Sequence, residues 1–329
     1  MVPSAAALPA PPTGTNVRLI LCRHGETALN AKHVLQGRGV NPPLNERGQA
    51  QAQRLADRLA DAPVDWIISS ELQRAVDTAN AVAKHHPDVP RNAYVDLAEI
   101  SWGHLEGTHA PNLSPLHDAW NSGNFDYAPQ DGESPNFVMQ RATSQLFSIL
   151  ETAKDMKSKS GVVTVVIVIH GRLLRIILST LLHRSLFMMP TMGHQNCNIN
   201  VVDVILKPPS PLPPRITQLD AATLAAFSNR HLLSQLQPAE GHEKHALQLA
   251  PVPLSDVNFA SSHSRVWDED KGQVAALWPK AAVERLRAGH GLAADGMLDG
   301  QEGSDGAWFM VGTVLNECSH MAGLESMMI

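Results

Sequence analysis

The sequence predicts an α/β protein, a three-layer α/β/α sandwich whose central sheet is mostly parallel and carries an antiparallel edge strand. Short β-branched runs alternate with stretches of helical spacing as far as about residue 233. One run, "VVTVVIVI" from Val162 to Ile169, is apolar almost without a break, as a central strand covered on both faces has to be. Prolines cluster in "KPPSPLPPR", where only the edge of a sheet tolerates them.

The elements follow in order. Val17–Cys22 reads as the first strand, and a helix starts after Asn45 with Ala52, Leu55, Ala56, Leu59 and Ala60 on one face. Val64–Ser69 is the second strand and leads into the helical "ELQRAVDTANAVAKHH". A third alternation lies in "AYVDLAEI". A helix spans about Ser134 to Met156, with Ser134 as N-cap. Val162–Ile169 follows, then the helical "RLLRIILSTLLHR", and "NINVVDVILK" with "RITQLD" forms a hairpin about the proline-rich turn. Residues 1–14 read as a flexible leader and 15–233 as the main domain. Residues 234–329 are an extension of unknown role, partly disordered, with a short helix over "GQVAALWPKAAVERLRA".

Composition sets limits. The chain has 329 residues, 43% of them hydrophobic, with 26 Lys and Arg against 32 Asp and Glu for a formal charge of -6. That balance offers no general attraction to nucleic acid or to an anionic membrane, so any anion is bound locally. The three cysteines, Cys22, Cys197 and Cys318, are too scattered for a disulfide framework and favour a reducing compartment, the cytoplasm. The leader has no basic residue before Arg18 and no long apolar core, so it is not read as a targeting signal. The longest purely apolar run, Val165–Ile169, is far short of the roughly 20 residues that span a bilayer. Oligomeric state is not legible.

Arg23 and His24 follow the first strand, Arg74 the second, Glu99 the third and His170 the long apolar one. In open α/β sheets, ligands bind beyond the carboxyl ends of strands, so these residues converge on one crevice. Guanidinium forks match phosphate oxygens, and imidazole is a nucleophile near neutral pH. The set suits phosphoryl transfer. Gly171, directly after His170, fits a tight strand-to-helix turn whose backbone N–H groups face an anion.

The stretches "LCRHGETALN", "VLQGRGVNPPLNERGQAQA", "ISSELQRAVDTA", "LAEISWGHLEG", "DGES", "VIHGRLLR" and "NCNINVVDV" resemble, in order and spacing, the histidine phosphatase superfamily, in the branch that holds phosphoglycerate mutases and related phosphatases. "FSNRHLL" extends the resemblance to about residue 233. It implies that His24 becomes phosphorylated, that Arg23, Arg74 and His170 surround the phosphoryl group, and that Glu99 is the proton donor and acceptor. Asn30, Gln36 and Gly37 are implied contacts to phosphate or substrate. No metal and no cofactor is implied.

Other readings compete at single positions. Glu106 rivals Glu99 for the acid role, and Glu133 is read as orienting the site. The pairs His85–His86, His242–His245 and Cys318–His320 lack third and fourth ligands at metal-site spacing. Cys22 reads as a small strand residue. Asn45 stands where Thr or Ser is usual in the family and caps equally well. The segment "SWGHLEGTHAPNLSPLHDAWNSGNFDYAPQDGES" contains no Lys or Arg, which favours a substrate with one phosphate on a neutral or modestly polar body. The expected function is a metal-independent phosphomonoesterase acting on a small phosphorylated metabolite such as a sugar phosphate. The alternatives are mutase-type phosphotransfer, and a protein phosphatase or weakly active scaffold that uses the extension.

Overall fold

The computed structural model describes residues 7–183, 186–206, 274–278, 280, 283–284, 308–321 and 324. Its centre is a seven-stranded sheet in the order β3-β2-β4-β1-β5-β7-β6. The strands are β1 (Val17–Arg23), β2 (Val64–Ser70), β3 (Arg91–Tyr94), β4 (Val163–Ile169), β5 (Ile199–Ile205), β6 (Val274–Trp278) and β7 (Trp308–Glu317). β1 to β4 run parallel, and β5 lies antiparallel to β1.

Alternation along the central strands divides the core in two. Leu19 and Leu21 of β1 join Val165, Ile167 and Ile169 of β4 in the cluster beneath α5 (Pro135–Ala153) and α6 (Gly171–His183). Ile20, Cys22, Val166 and Val168 point the other way, toward α2 (Glu46–Leu59) and α3 (Gln73–Ala83). Both faces of β4 are therefore buried, which is what its continuous apolar sequence requires. Asn45 caps α2 by accepting from Gly48 N at 2.7 Å, and Ser134 caps α5 through Phe137 N at 3.2 Å. Two short helices, α1 (Ala28–Ala31) and α4 (Ser114–Asn121), lie in the connections. Among the described residues no helix is long and apolar enough to cross a membrane.

Two expectations change. The third strand stops at Tyr94, and Val95–Leu97 forms a 3-10 turn, so Glu99 sits in a loop beyond the strand rather than at its end. The segment expected to be helical, "GQVAALWPKAAVERLRA", supplies β6 in its first part, paired with β7 from Val274 to Trp278, while Lys280, Val283 and Glu284 in its second part are helical as expected. Tertiary contacts override the helix propensity of Ala and Leu here: Trp278 is fully buried, and its Nε1 donates to Leu181 O at 2.9 Å. Its ring and that of Trp308 both meet Phe147 edge-on, with centroids 5.5 and 5.8 Å away. The expected hairpin partner of β5, "RITQLD", lies outside the described residues. β5 pairs with β7, from Ile199↔Glu317 to Ile205↔Phe309, so two strands of the extension join the sheet.

Candidate active site

Arg23 ends β1 opposite Ile169 of β4, so His24 and His170 leave neighbouring parallel strands side by side. Their ring centroids are 5.2 Å apart and the planes are tilted by 55°. His24 Nδ1 donates to Gly25 O at 2.6 Å, which places the proton on Nδ1 and leaves the Nε2 lone pair available. Burial, reinforced by the Arg74 and Arg23 guanidiniums, holds His24 well below the ordinary histidine range. His170 is fully buried and is depressed in the same way, by burial and then by Arg74, His24, Arg23 and Arg141. Both imidazoles are neutral at neutral pH.

The two arginines are packed from opposite sides. Arg23 Nη1 donates to His194 O at 2.9 Å. Arg74, only 1% exposed, donates to Gly37 O at 2.9 Å and Val40 O at 3.1 Å. Burial lowers both guanidiniums to about 10, with Glu99 pulling the other way, so both stay cationic. The loop that receives Arg74 is itself held by Glu106, which accepts from Gly39 N, Val40 N, Ser101 Oγ and Trp102 N. A Cβ at Gly37 would lie 2.0 Å from Glu106 Oε1, so only glycine admits that carboxylate. Glu106 shapes the Arg74 loop; the place beside α6 belongs to Glu99.

Glu99 is 7% exposed. Oε1 accepts from Ile100 N at 3.0 Å and Leu173 N at 2.9 Å, and Oε2 from Arg172 N at 3.0 Å. The N-terminus of α6 thus holds a carboxylate of the protein itself, and the Arg172 and Leu173 amides expected to face an anion are occupied by Glu99. Gly171 approaches Arg23 closely; a Cβ there would lie 3.1 Å from Arg23 Nε. Arg141 fixes the backbone of the Glu99 loop through Asp96 O, Ala98 O and Glu99 O. Glu133 pairs with Arg141 at 2.8 Å and with Arg38 at 3.1 Å. Burial alone would raise the Glu133 carboxyl, but hydrogen bonds from Arg141 and Ser101 N outweigh it and leave it below the usual range.

Asn30 and Gln36 meet at Thr27. In the capping box of α1, Asn30 Oδ1 accepts from Thr27 N and Thr27 Oγ1 accepts from Asn30 N, and the Thr27 hydroxyl donates to Gln36 Oε1 at 3.0 Å. Three residues near the site escaped the sequence reading. His194 is buried, and its Nδ1 bonds Asn198 Nδ2 at 2.9 Å. Arg172 and Arg175 of α6 feel the charge of Glu99. They stood in the quoted "VIHGRLLR", where they look like the polar positions of an amphipathic helix.

Among the described residues, Arg23 Nε, Arg74 Nε, Gln36 Nε2 and both ring nitrogens of His170 are buried without a hydrogen-bond partner. Buried polar atoms are almost always paired, so several around one neutral imidazole mark a site for a polar, anionic group. Away from the site, His85 bonds Asp57 and His320 bonds Cys197 O. His242 and His245 lie outside the described residues. No group of three or more metal-ligating side chains occurs among the described residues.

Residues 19–208 match the histidine phosphatase superfamily, branch 1. Over 192 residues the chain is 30% identical to a protein of Shigella boydii described as a probable phosphoglycerate mutase GpmB, a match that spans 57% of this chain and 85% of that protein. Among solved structures it is similar to the mycobacterial glucosyl-3-phosphoglycerate phosphatase, with 27% identity and a TM-score of 0.50 over 57% of this chain and 90% of the other. The complex of the mycobacterial enzyme with VO3 gives a TM-score of 0.51 at 26% identity, covering 57% of this chain and 93% of that one.

Proposed function

This chain is an enzyme of the histidine phosphatase superfamily, and we propose that it hydrolyses the phosphate monoester of a small metabolite, of the sugar phosphate kind, through a phosphohistidine on His24. The observation that carries this reading is the ring of buried, unpartnered polar atoms on Arg23, Arg74, Gln36 and His170 around an imidazole kept neutral by its surroundings.

The chemistry balances with these residues. His24 Nε2 attacks phosphorus in line with the ester oxygen; an N–P bond forms and the P–O bond to the leaving group breaks. Arg23, Arg74 and a donating nitrogen of His170 hold the equatorial oxygens, where charge gathers in the transition state. Glu99 gives a proton to the leaving oxygen. Oε2 is the oxygen with room to carry that proton, since it accepts one N–H whereas Oε1 accepts two. Water then attacks phosphorus, Glu99 takes its proton, the N–P bond breaks and phosphate leaves with His24 neutral again. Arg141 and Glu133 position Glu99, and Glu106 positions the carbonyls that anchor Arg74. In this reading Asn30, Gln36 and Gly37 contribute contacts to the phosphate or to the substrate body.

The full chain should release phosphate from 4-nitrophenyl phosphate, and His24→Ala should not. Acid-labile, alkali-stable phosphate should be trapped on the wild type alone. Equal, slow release by both proteins would defeat the reading. Likeness to a probable mutase gives a second reading a footing. Isomerised 3-phosphoglycerate without matching phosphate release would establish transfer in place of hydrolysis.

A further inference from the structure

Asparagines alternate in "NCNIN", at 196, 198 and 200, and each sends its side chain to the backbone of β1 or of His24 just beyond it. The ladder between β1 and β5 ends at Cys22↔Ile199, and Cys197, with a φ of 55°, turns the chain out of the extended conformation. Side-chain amides take over where the ladder stops. Asn200 Nδ2 donates to Leu21 O at 3.1 Å, and Asn196 Nδ2 to His24 O at 2.9 Å. Between them, Asn198 Oδ1 accepts from Arg23 N at 3.3 Å, at a residue the β5 ladder no longer reaches.

Asn198 is fully buried and its amide is engaged on both sides. Nδ2 donates to His194 Nδ1 at 2.9 Å and to Asn316 Oδ1 at 3.0 Å. A flipped amide would set Nδ2 against the Arg23 N–H, so the orientation is fixed and His194 Nδ1 is the acceptor. The carbonyl of that same His194 receives Arg23 Nη1 at 2.9 Å. Asn198 therefore holds both ends of one arginine, the backbone amide directly and the guanidinium through His194. Arg23 Nε, buried without a partner, is held between these two fixed points.

The remaining contact leaves the core domain. Asn316 stands in β7, 118 residues along the chain from Asn198, where the register of β5 and β7 shifts. Its φ of 52° is a left-handed conformation that asparagine tolerates better than most residues. Its own N–H is fixed on Asn200 Oδ1 at 2.8 Å, which aims its side chain at the amide that grips Arg23.

Resting on the phosphohistidine reading, we propose that Asn198 is a positioning residue for Arg23 and that Asn316 ties it to the C-terminal extension. The extension then takes part in phosphoryl binding without touching substrate.

A double-mutant cycle separates this role from plain support of the sheet. With 4-nitrophenyl phosphate, Asn198→Ala should lower kcat/KM by about 10- to 100-fold. The loss should fall mostly on kcat, because Arg23 holds charge that gathers in the transition state. In an Arg23→Ala background the same substitution should change kcat/KM by less than about twofold. Orthovanadate affinity, measured by calorimetry, needs no turnover and should follow the same pattern. Asn316→Gly keeps the left-handed backbone and deletes the acceptor, and should cost about 3- to 10-fold. Asn316→Asp, which still accepts from Asn198, should stay within about twofold of the wild type. Thermal melts identify the folded variants, and where Asn198→Ala does not fold, Asn316→Gly carries the cycle in both backgrounds. Equal losses in both backgrounds, or a folded Asn198→Ala with wild-type kcat/KM and vanadate affinity, overturn the positioning role and leave the phosphatase reading intact. A folded Asn316→Gly at the wild-type rate overturns the tie to the extension. If the wild type releases no phosphate from 4-nitrophenyl phosphate, the phosphatase reading itself falls and takes the positioning role with it.

Discussion

The two ends of β1 each carry a buried arginine, and the fold treats them in opposite ways. At the amino end Arg18 is bidentate to Asp203, with Nε to Oδ1 at 2.7 Å and Nη2 to Oδ2 at 2.9 Å, while Nη1 donates to Pro9 O. Asp203 also accepts from Thr313 Oγ1 at 2.8 Å. At the carboxyl end, Arg23 has Nη1 on a backbone carbonyl and Nε on nothing among the described residues. One arginine completes a polar network across β1, β5 and β7; the other is presented to a ligand. A buried polar group left unpaired is destabilising, so the carboxyl end of the strand keeps an unfavourable arrangement that binding would relieve.

Substitutions should separate the two ends. His24→Ala should lower kcat by about 10⁴-fold or more while shifting stability by less than about 1 kcal/mol, because the residue lies among unsatisfied groups; steady-state rates and urea denaturation check both halves. Arg18→Ala should do the reverse. Stranding Asp203 should destabilise by about 3 to 5 kcal/mol, with kcat of the folded fraction unchanged within about twofold. A large fall in kcat would break the comparison by tying the far end of β1 to chemistry.

pH offers a subtler probe. His24, His170 and His194 are all held well below the ordinary histidine value by burial and nearby arginines. Above the unfolded value of about 6.5, both folded and unfolded chains carry them neutral, and they make no difference to stability. Below it the unfolded chain takes up protons that the folded chain refuses, so stability falls with pH. The slope is about 1.4 kcal/mol per pH unit for each imidazole until its folded value is reached. Denaturation midpoints between pH 7.5 and 5.5 should show this, and His170→Asn should flatten the slope by up to about 1.4 kcal/mol per pH unit, the share of one imidazole. An unchanged slope would mean that His170 is already charged in the folded protein. The smallest effect belongs to Glu106→Gln, which loosens the loop carbonyls under Arg74. KM should rise about tenfold with kcat falling less; a larger loss in kcat would move Glu106 from positioning into chemistry.

The parallel half of the fold was legible because β4 and the helical faces of α2, α3, α5 and α6 state their burial directly in residue pattern. The antiparallel half was not. β6, "VAALW", reads as helix until its partner is known, and that partner is β7, far along the chain. His24, His170 and Arg74 could be brought together from motif and strand order alone, since parallel strands deliver their carboxyl ends to one side. Glu99 was assigned to a strand end it does not occupy, because a short edge strand and a 3-10 turn look alike in "AYVDLAEI". Asn198 was hidden for a different reason. Its meaning comes from Arg23 and Asn316, and the nearer of these in sequence is Asn316, 118 residues away.

The pairing of β5 with β7 also sets a schedule for synthesis. β5 ends at Ile205 and its partner only at Glu317. At translation speeds of about 5 to 20 residues per second, the valine-rich outer edge of β5 therefore waits roughly ten seconds before its cover leaves the ribosome. During that interval the nascent chain offers an open strand to any neighbour on the same polysome. Codon choice between the two strands, or a chaperone that holds this edge, would govern the yield of folded enzyme without touching a single residue of the catalytic crevice.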